Sequence, residues 1–189
     1  MERLLRSGFG PHLIHPSVQS GAALSRCKTY RYALWRHWSD APPVLFVMLN
    51  PSTADASQDD PTIRRCISFA QRWGYGGLLV GNLFALRSPD PQQLRTASDP
   101  IGPQNQRWLR RLSQQSAVVV GAWGNHGMLL NRGEAVAARF PGMLCLGLTQ
   151  QGQPRHPLYV PGDAGLLPLP QAMGLTAPAS PPPRARAPA

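Results

Sequence analysis

Hydrophobic and polar positions along the middle of the chain follow the periods of strands. Tyr30–Trp38 alternates bulky and polar residues at a period of about two, which is typical of a strand. Four short continuous apolar runs predict strands that are buried on both faces, and these are Val44–Leu49, Leu78–Leu86, Ala117–Trp123 and Met143–Leu148. The pattern therefore predicts five strands.

The segments between these strands have helical features. Asp60 is a preferred N-cap residue, and Pro61 suits the first position of a helix. Apolar residues then recur at the spacing of one helix face. Residues Asn105–Gln115 predict a second helix, and Asn125–Phe140 predict a third that Gly133 interrupts.

Strands that alternate with helices predict an α/β fold, here a three-layer α/β/α sandwich with a mainly parallel sheet. We expect this single domain to occupy residues 27–170. Residues 1–26 have no sustained period and predict a loosely ordered lead-in. Residues 171–189 are rich in Pro, Ala and Arg and predict a disordered tail.

Charge adds a preference for an anionic partner. The chain has 19 Lys and Arg against 9 Asp and Glu, a net charge of +10, and Lys28 is its single lysine. The planar guanidinium of arginine suits phosphates and base edges. A GC-rich genome also raises the arginine content, but it does not explain the scarcity of acids. The balance therefore favours an anionic partner such as a nucleic acid.

Several classes of protein are excluded by the same composition. No apolar run approaches the ~20 residues that span a bilayer, and the first ten residues lack the apolar core of a signal peptide. The three cysteines form no CxxC pair, which argues against a zinc knuckle or a disulfide framework. We therefore expect a cytoplasmic protein that contacts no membrane and uses no metal or cofactor.

Polar side chains follow the carboxyl ends of the predicted buried strands. Ligands of open parallel sheets bind at this edge, so these residues form the candidate site. The candidate catalytic residues are Asn50 and His156. The candidate substrate-binding residues are Pro51, Ser52, Asp60, Asn82, Phe84, Arg87, Trp123, Asn125 and Arg155.

Each of these residues also has a structural interpretation. Asn50 can belong to a turn, since Asn and Ser bond their own backbone there, and Asp60 can simply cap its helix. Trp123 can belong to the core. Asn82 is less easily explained in this way, because a buried amide needs hydrogen-bond partners. Patterns for a GxSxG nucleophile, a P-loop or an HExxH zinc site are absent from the sequence.

Two resemblances to known families rest on these motifs. On YRYALWR, MLNPSTAD, DDPTIRRC, NLFALR, AWG and PRHPLY, the stretch from Tyr30 to Val160 closely resembles an uncharacterised bacterial and phage domain of unknown function. The layout also resembles the uracil-DNA glycosylase superfamily. There, Asn50 and the proline after it are similar to the Asn-Pro of the mismatch-specific branch, and His156 stands where an HPS motif would be. Asn82, with the leucine after it and a later arginine, is similar to the TN-(V/L)-V-(K/R) segment.

The second resemblance implies a mechanism on a nucleobase. Asn50 would orient a water, and Asn82 would read the edge of a pyrimidine. His156 would donate a hydrogen bond to the departing base, which gains negative charge. Phe84 or Trp123 would stack on a base flipped out of the DNA duplex. The implied partner is DNA or a nucleotide, and the implied reaction is N-glycosidic hydrolysis or base modification.

Two other functions stay open at this point. A non-catalytic module that binds nucleic acid or a nucleotide would suit both the basic charge and the weak basicity of Asn50. An enzyme acting on a small phosphorylated metabolite would hold an anion at the N-terminus of the helix that follows Asp60. A steep loss of DNA affinity with salt would favour the binding module.

Overall fold

A computed structural model describes residues 20–170 of the chain. Its strands are β1 (Ser20–Leu24), β2 (Arg31–His37), β3 (Pro43–Met48), β4 (Gly77–Asn82), β5 (Val118–Gly121), β6 (Leu144–Cys145) and β7 (Leu167–Pro168). Its α-helices are α1 (Pro61–Arg72), α2 (Gln93–Thr96), α3 (Asn105–Ser113) and α4 (Arg132–Ala137). Two 3-10 helices cover Asn125–Asn131 and Pro157–Tyr159.

The strands form one mixed sheet in the order β1-β2-β4-β3-β5-β6-β7. Strands β4, β3, β5 and β6 are parallel neighbours. Strand β2 is antiparallel to β4 and to β1, and β7 is antiparallel to β6. The predicted α/β class is thus confirmed. The predicted mainly parallel sheet is not confirmed, because the strand pairs toward both edges of the sheet are antiparallel.

Helices cover both faces of the sheet. Val44 and Phe46 of β3 pack in one cluster with the apolar side of α1. Leu45 and Val47 point to the opposite face, where they pack in a second cluster with residues of α3 and α4. The central strands are therefore buried on both faces, which is why they are continuous apolar runs in the sequence.

Helix α1 forms where the sequence predicts it. The side chain of Asp60 caps the helix, since its Oδ1 accepts a hydrogen bond from the backbone N–H of Ile63 at 2.8 Å. Ile63, Cys66, Phe69 and Ala70 are the buried residues of the helix, and they lie at helical spacing. The predicted N-cap and the predicted apolar face are confirmed.

The predicted helix over Asn125–Phe140 is wrong. Residues Asn125–Asn131 form a 3-10 helix with a kink, and only the six residues of α4 continue as α-helix. Leu130 and Asn131 cause the break, because their φ angles of 54° and 50° lie in the left-handed region, which stops a right-handed helix. Gly133 does not interrupt the helix; it lies within α4 and against the indole of Trp123.

Strand β1 lies outside the domain bounds that the sequence predicts. Residues 20–24, which the sequence places in a loose lead-in, form β1 and pair along β2 from Ser20↔Arg36 to Leu24↔Arg31. Residues 1–19 and the predicted tail over 171–189 lie outside the described residues. Within residues 20–170, no helix combines the length and the apolar character that crossing a membrane requires.

Candidate functional site

A cavity of about 720 Å³ lies at the carboxyl ends of β3, β4 and β5, beside the N-terminus of α1. Small-molecule sites commonly have volumes of about 300–1,000 Å³. The chain leaves β3 on one side to form β4 and returns on the other side to form β5. The cavity therefore lies at the switch point of the sheet, the usual ligand position in open α/β folds.

The structure brings most of the candidate residues to this cavity. Those that line it are Asn50, Ser52, Asp60, Asn82, Trp123, Asn125, Arg155 and His156. Phe84 is not available to stack on a bound base, because it is fully buried in the core on the side of α3 and α4. Pro51 is buried and its carbonyl accepts a hydrogen bond from the N–H of Ser88. Arg87 donates to the carbonyl of Lys28 at 3.2 Å, away from the cavity.

Asn50 holds its own loop in place. Its Nδ2 donates to the carbonyl of Ser88 at 2.8 Å and to the carbonyl of Pro51 at 3.2 Å. An amide nitrogen has two hydrogens, so both are used within the protein. What Asn50 can offer to a ligand or a water is the acceptor Oδ1.

Asn82 has an unsatisfied donor. The residue is 2% exposed, and its Nδ2 is buried with no hydrogen-bond partner in the structure. Its backbone carbonyl, by contrast, accepts a hydrogen bond from Nδ2 of Asn105 at 2.9 Å. A buried polar atom without a partner is rare and costs about 1–3 kcal/mol. The unpartnered amide of Asn82 is the strongest indication that the cavity binds a ligand.

Arg31 is a cavity residue that the sequence reasoning missed. It is 3% exposed and lines the cavity. Its Nη1 donates to the carbonyl of Ala54, whereas its Nε is buried without a partner. Burial lowers the pKa of this guanidinium to about 10, and the carboxylate of Asp60 is the largest influence that raises it. The group stays charged at neutral pH.

His156 presents a neutral imidazole. Its Nδ1 accepts a hydrogen bond from the N–H of Leu158 at 3.3 Å, which places the ring proton on Nε2. Burial lowers the pKa of His156, and the nearby carboxylate of Asp60 opposes that shift. At neutral pH the residue therefore carries an Nε2–H donor without a positive charge.

Hydrogen bonds from side chains hold the remaining wall of the cavity in place. Nε1 of Trp123 donates to Oε1 of Gln153 at 2.9 Å, and Trp123 is 3% exposed. Oδ1 of Asn125 lies 2.6 Å from the hydroxyl of Thr149. Arg155 is fixed through Nε, which donates to the carbonyl of Leu148 at 2.9 Å. Within residues 20–170, no group of three or more His, Cys, Asp or Glu residues is placed to hold a metal ion.

Residues 31–158 match the model of a family described as a protein of unknown function, DUF1643. The chain belongs to this family. The DUF1643 match includes every residue that lines the cavity except Tyr159, so the cavity is part of the domain itself. Comparison with curated proteins gave no match, and neither did comparison with solved structures. The resemblance to uracil-DNA glycosylases therefore stays a prediction.

Proposed function

We propose that the cavity binds the base of a nucleotide or of DNA, and that the protein hydrolyses the N-glycosidic bond. The observation that carries the proposal is the unpartnered amide of Asn82 in the cavity wall. An amide combines a donor and an acceptor, as does the edge of a nucleobase. A bound base would satisfy the donor that the free protein leaves unpaired.

The walls around Asn82 suit a flat, partly apolar ligand. Met48, Ile63 and Val80 contribute apolar surface to the cavity, and Trp123 contributes an aromatic one. Ligand sites typically combine such apolar walls with a few polar groups that fix the orientation of the ligand. The composition of this cavity therefore supports a nucleobase better than a fully polar metabolite.

The polar groups match the charges that develop during hydrolysis. A water oxygen bonds to C1′ of the sugar, the C1′–N bond breaks, and the base leaves with the bonding electrons. The proton that the water loses on becoming the sugar hydroxyl is taken up by the departed base, so the step balances. Asn50 would accept a hydrogen bond from the water through Oδ1. His156 would donate Nε2–H to the departing base, and the carboxylate of Asp60 would stabilise positive charge on the sugar.

Two finer expectations belong to this proposal. The four parallel central strands with helices on both faces support a glycosylase-like α/β/α sandwich. A cytoplasmic location is supported by the three cysteines, Cys27, Cys66 and Cys145, which are all free thiols.

A module that binds a nucleotide without cleaving it is the second candidate. Asn50 favours it, because an amide is a weak base and both of its hydrogens are committed to backbone carbonyls. In both candidate functions the ligand occupies the same cavity and Asn82 contacts its base. Only the appearance of free base distinguishes them.

The test is to incubate the protein with uracil-, hydroxymethyluracil- and mismatch-containing duplexes and with free nucleotides. Chromatography then detects released base, and binding is measured in parallel. We expect wild type to release base and His156→Asn to be slower by about 10²–10³-fold, the usual cost of losing one such donor. Asparagine can still accept the N–H of Leu158, so the variant should fold. Gln71→Ala, at an exposed position of α1, is the control and should match wild type.

The outcomes separate the two candidates. If the protein binds a substrate in a way that depends on Asn82 but releases no base, the result supports the binding module and refutes the hydrolase. Neither binding nor release from any of these substrates would refute the proposal as a whole.

A further inference from the structure

Arg31 is a buried cation that forms no ion pair with a carboxylate of residues 20–170. Residues 20–170 contain one ion pair, and it joins Arg36 to Asp59 at 2.7 Å. The guanidinium of Arg31 has one recorded hydrogen bond, from Nη1 to the carbonyl of Ala54, and its Nε is buried without a partner. A buried charge is costly unless it is paired and hydrogen-bonded.

Arg36 on the same strand is a useful comparison, because each nitrogen of its guanidinium is hydrogen-bonded within the protein. Its Nε and Nη2 both donate to Oδ1 of Asp59, at 3.0 and 2.7 Å. Its Nη1 donates to the carbonyl of Trp35, and Nη2 also donates to the carbonyl of Asp55, each at 2.8 Å. Every nitrogen of Arg36 is thus occupied within the fold. Arg31, five residues earlier and facing the cavity, lacks this arrangement.

The cavity around Arg31 favours an anion. Arg31 and Arg155 both line it, and among the described residues of the lining Asp60 is the only carboxylate. That carboxylate is partly engaged, because its Oδ1 caps α1. The first turn of α1 also lines the cavity through Thr62 and Ile63, and a helix N-terminus favours negative charge.

We propose that Arg31 binds a terminal phosphate, so that the ligand is a free nucleoside monophosphate and not a base flipped out of DNA. This inference rests on the proposed function, which supplies the base. The planar fork of a guanidinium matches a phosphate through two parallel hydrogen bonds. The ligand would bring the directly paired counter-ion that residues 20–170 do not supply.

The burial of Arg31 favours a free nucleotide over DNA as the ligand. A phosphodiester inside a DNA strand continues on both sides and has to lie along the protein surface. Arg31 is 3% exposed and lies in the cavity wall, so a phosphate that reaches it has to end there. A monophosphate ends in such a group.

The experiment compares each nucleoside with its 5′-monophosphate by isothermal titration calorimetry on the full chain. We expect wild type to bind the monophosphate at least about tenfold more tightly than the nucleoside, as a charge-assisted contact implies. Arg31→Met should remove this preference by weakening monophosphate binding alone. Arg110→Met is the matched control, since it removes the same charge at an exposed position of α3 and should keep the preference.

The wild-type comparison keeps the inference testable if Arg31→Met fails to fold, and Arg31→Lys adds a variant that keeps the charge but loses the fork. Equal affinity of wild type for nucleoside and monophosphate would overturn the inference while leaving the proposed function intact. Tighter binding of single-stranded DNA, with base released from DNA alone, would also overturn it. If no nucleoside, nucleotide or DNA binds, both the inference and the proposed function fail.

Discussion

Replacing Asn82 with leucine should make the free protein more stable while abolishing its ligand binding. The Nδ2 of Asn82 is buried without a partner, and an unsatisfied donor of this kind costs about 1–3 kcal/mol. Leucine has the same branched shape and the same number of heavy atoms, and the adjoining cavity leaves room for its two methyl groups, which are slightly larger than the amide atoms that they replace. Met48 lies opposite on β3 and Val80 lies two residues earlier on the same face, so the new side chain meets apolar neighbours.

The free energy of unfolding of Asn82→Leu should therefore rise by about 1–3 kcal/mol in urea denaturation. For a protein of this size the melting temperature should rise by roughly 2–12 °C. Nucleotide binding, measured by calorimetry on the same preparation, should be lost. The backbone carbonyl of Asn82, which Asn105 contacts, is unchanged by the substitution.

Asn50→Leu is the matched control, because it makes the same change in the same cavity. Nδ2 of Asn50 has two partners, the carbonyls of Ser88 and Pro51. Losing these hydrogen bonds should lower the free energy of unfolding by about 1–3 kcal/mol. The two variants should thus shift in opposite directions. If Asn82→Leu is destabilised as much as Asn50→Leu, the amide of Asn82 is structural and the argument for a ligand is refuted.

Three further predictions concern other parts of the fold. Asn105→Ala should lower the free energy of unfolding by about 1–3 kcal/mol in urea, because Nδ2 of this buried residue contacts two backbone carbonyls. Gly127→Ala should lower it by a similar amount, about 1–3 kcal/mol, since a Cβ there would lie 1.9 Å from Cδ1 of Trp123. Cys27 should be the first cysteine that a thiol reagent modifies in the native protein, with a rate midpoint near pH 7, because hydrogen bonds, the largest with Ser25, lower its pKa to about 7.

Each of these predictions has its own control. Asn105→Asp keeps an acceptor but loses the donors, so a stability equal to wild type would contradict the role assigned to Nδ2. Gly165→Ala meets no atom within 4 Å and should be close to neutral, and Gly127→Ala should differ from it clearly. The fast thiol reaction should vanish in Cys27→Ser; if it persists, the buried Cys66 or Cys145 is the reactive one.

Much of the fold could be predicted because its causes are local. The N-cap at Asp60 and the apolar face of α1 follow from residues within a few positions of one another, and both predictions are confirmed. Continuous apolar runs mark the central strands because helices cover both faces of the sheet. Asn50, Asn82 and Trp123 reach one cavity because the carboxyl ends of neighbouring parallel strands share an edge.

The sequence-based predictions fail where contacts between residues that are distant in the sequence determine the structure. Arg31 begins a strand, so a search of the residues after strand ends passes over it. Strand β2 runs antiparallel to β4, however, and its start therefore lies at the same edge as the ends of the parallel strands. The helix predicted over 125–140 is broken by Leu130 and Asn131, whose left-handed backbone no periodicity in the sequence predicts.

By itself, the sequence determined the positions of the central strands and of α1, and which polar residues follow those strands, because these properties depend on neighbours along the chain. The tertiary structure alone decided that Phe84 is enclosed in the core and that Arg31 lies in the cavity wall without an ion pair to a carboxylate of residues 20–170. The physical reason is that burial and charge pairing depend on which strands lie side by side, and strand pairing joins residues that are far apart in the sequence.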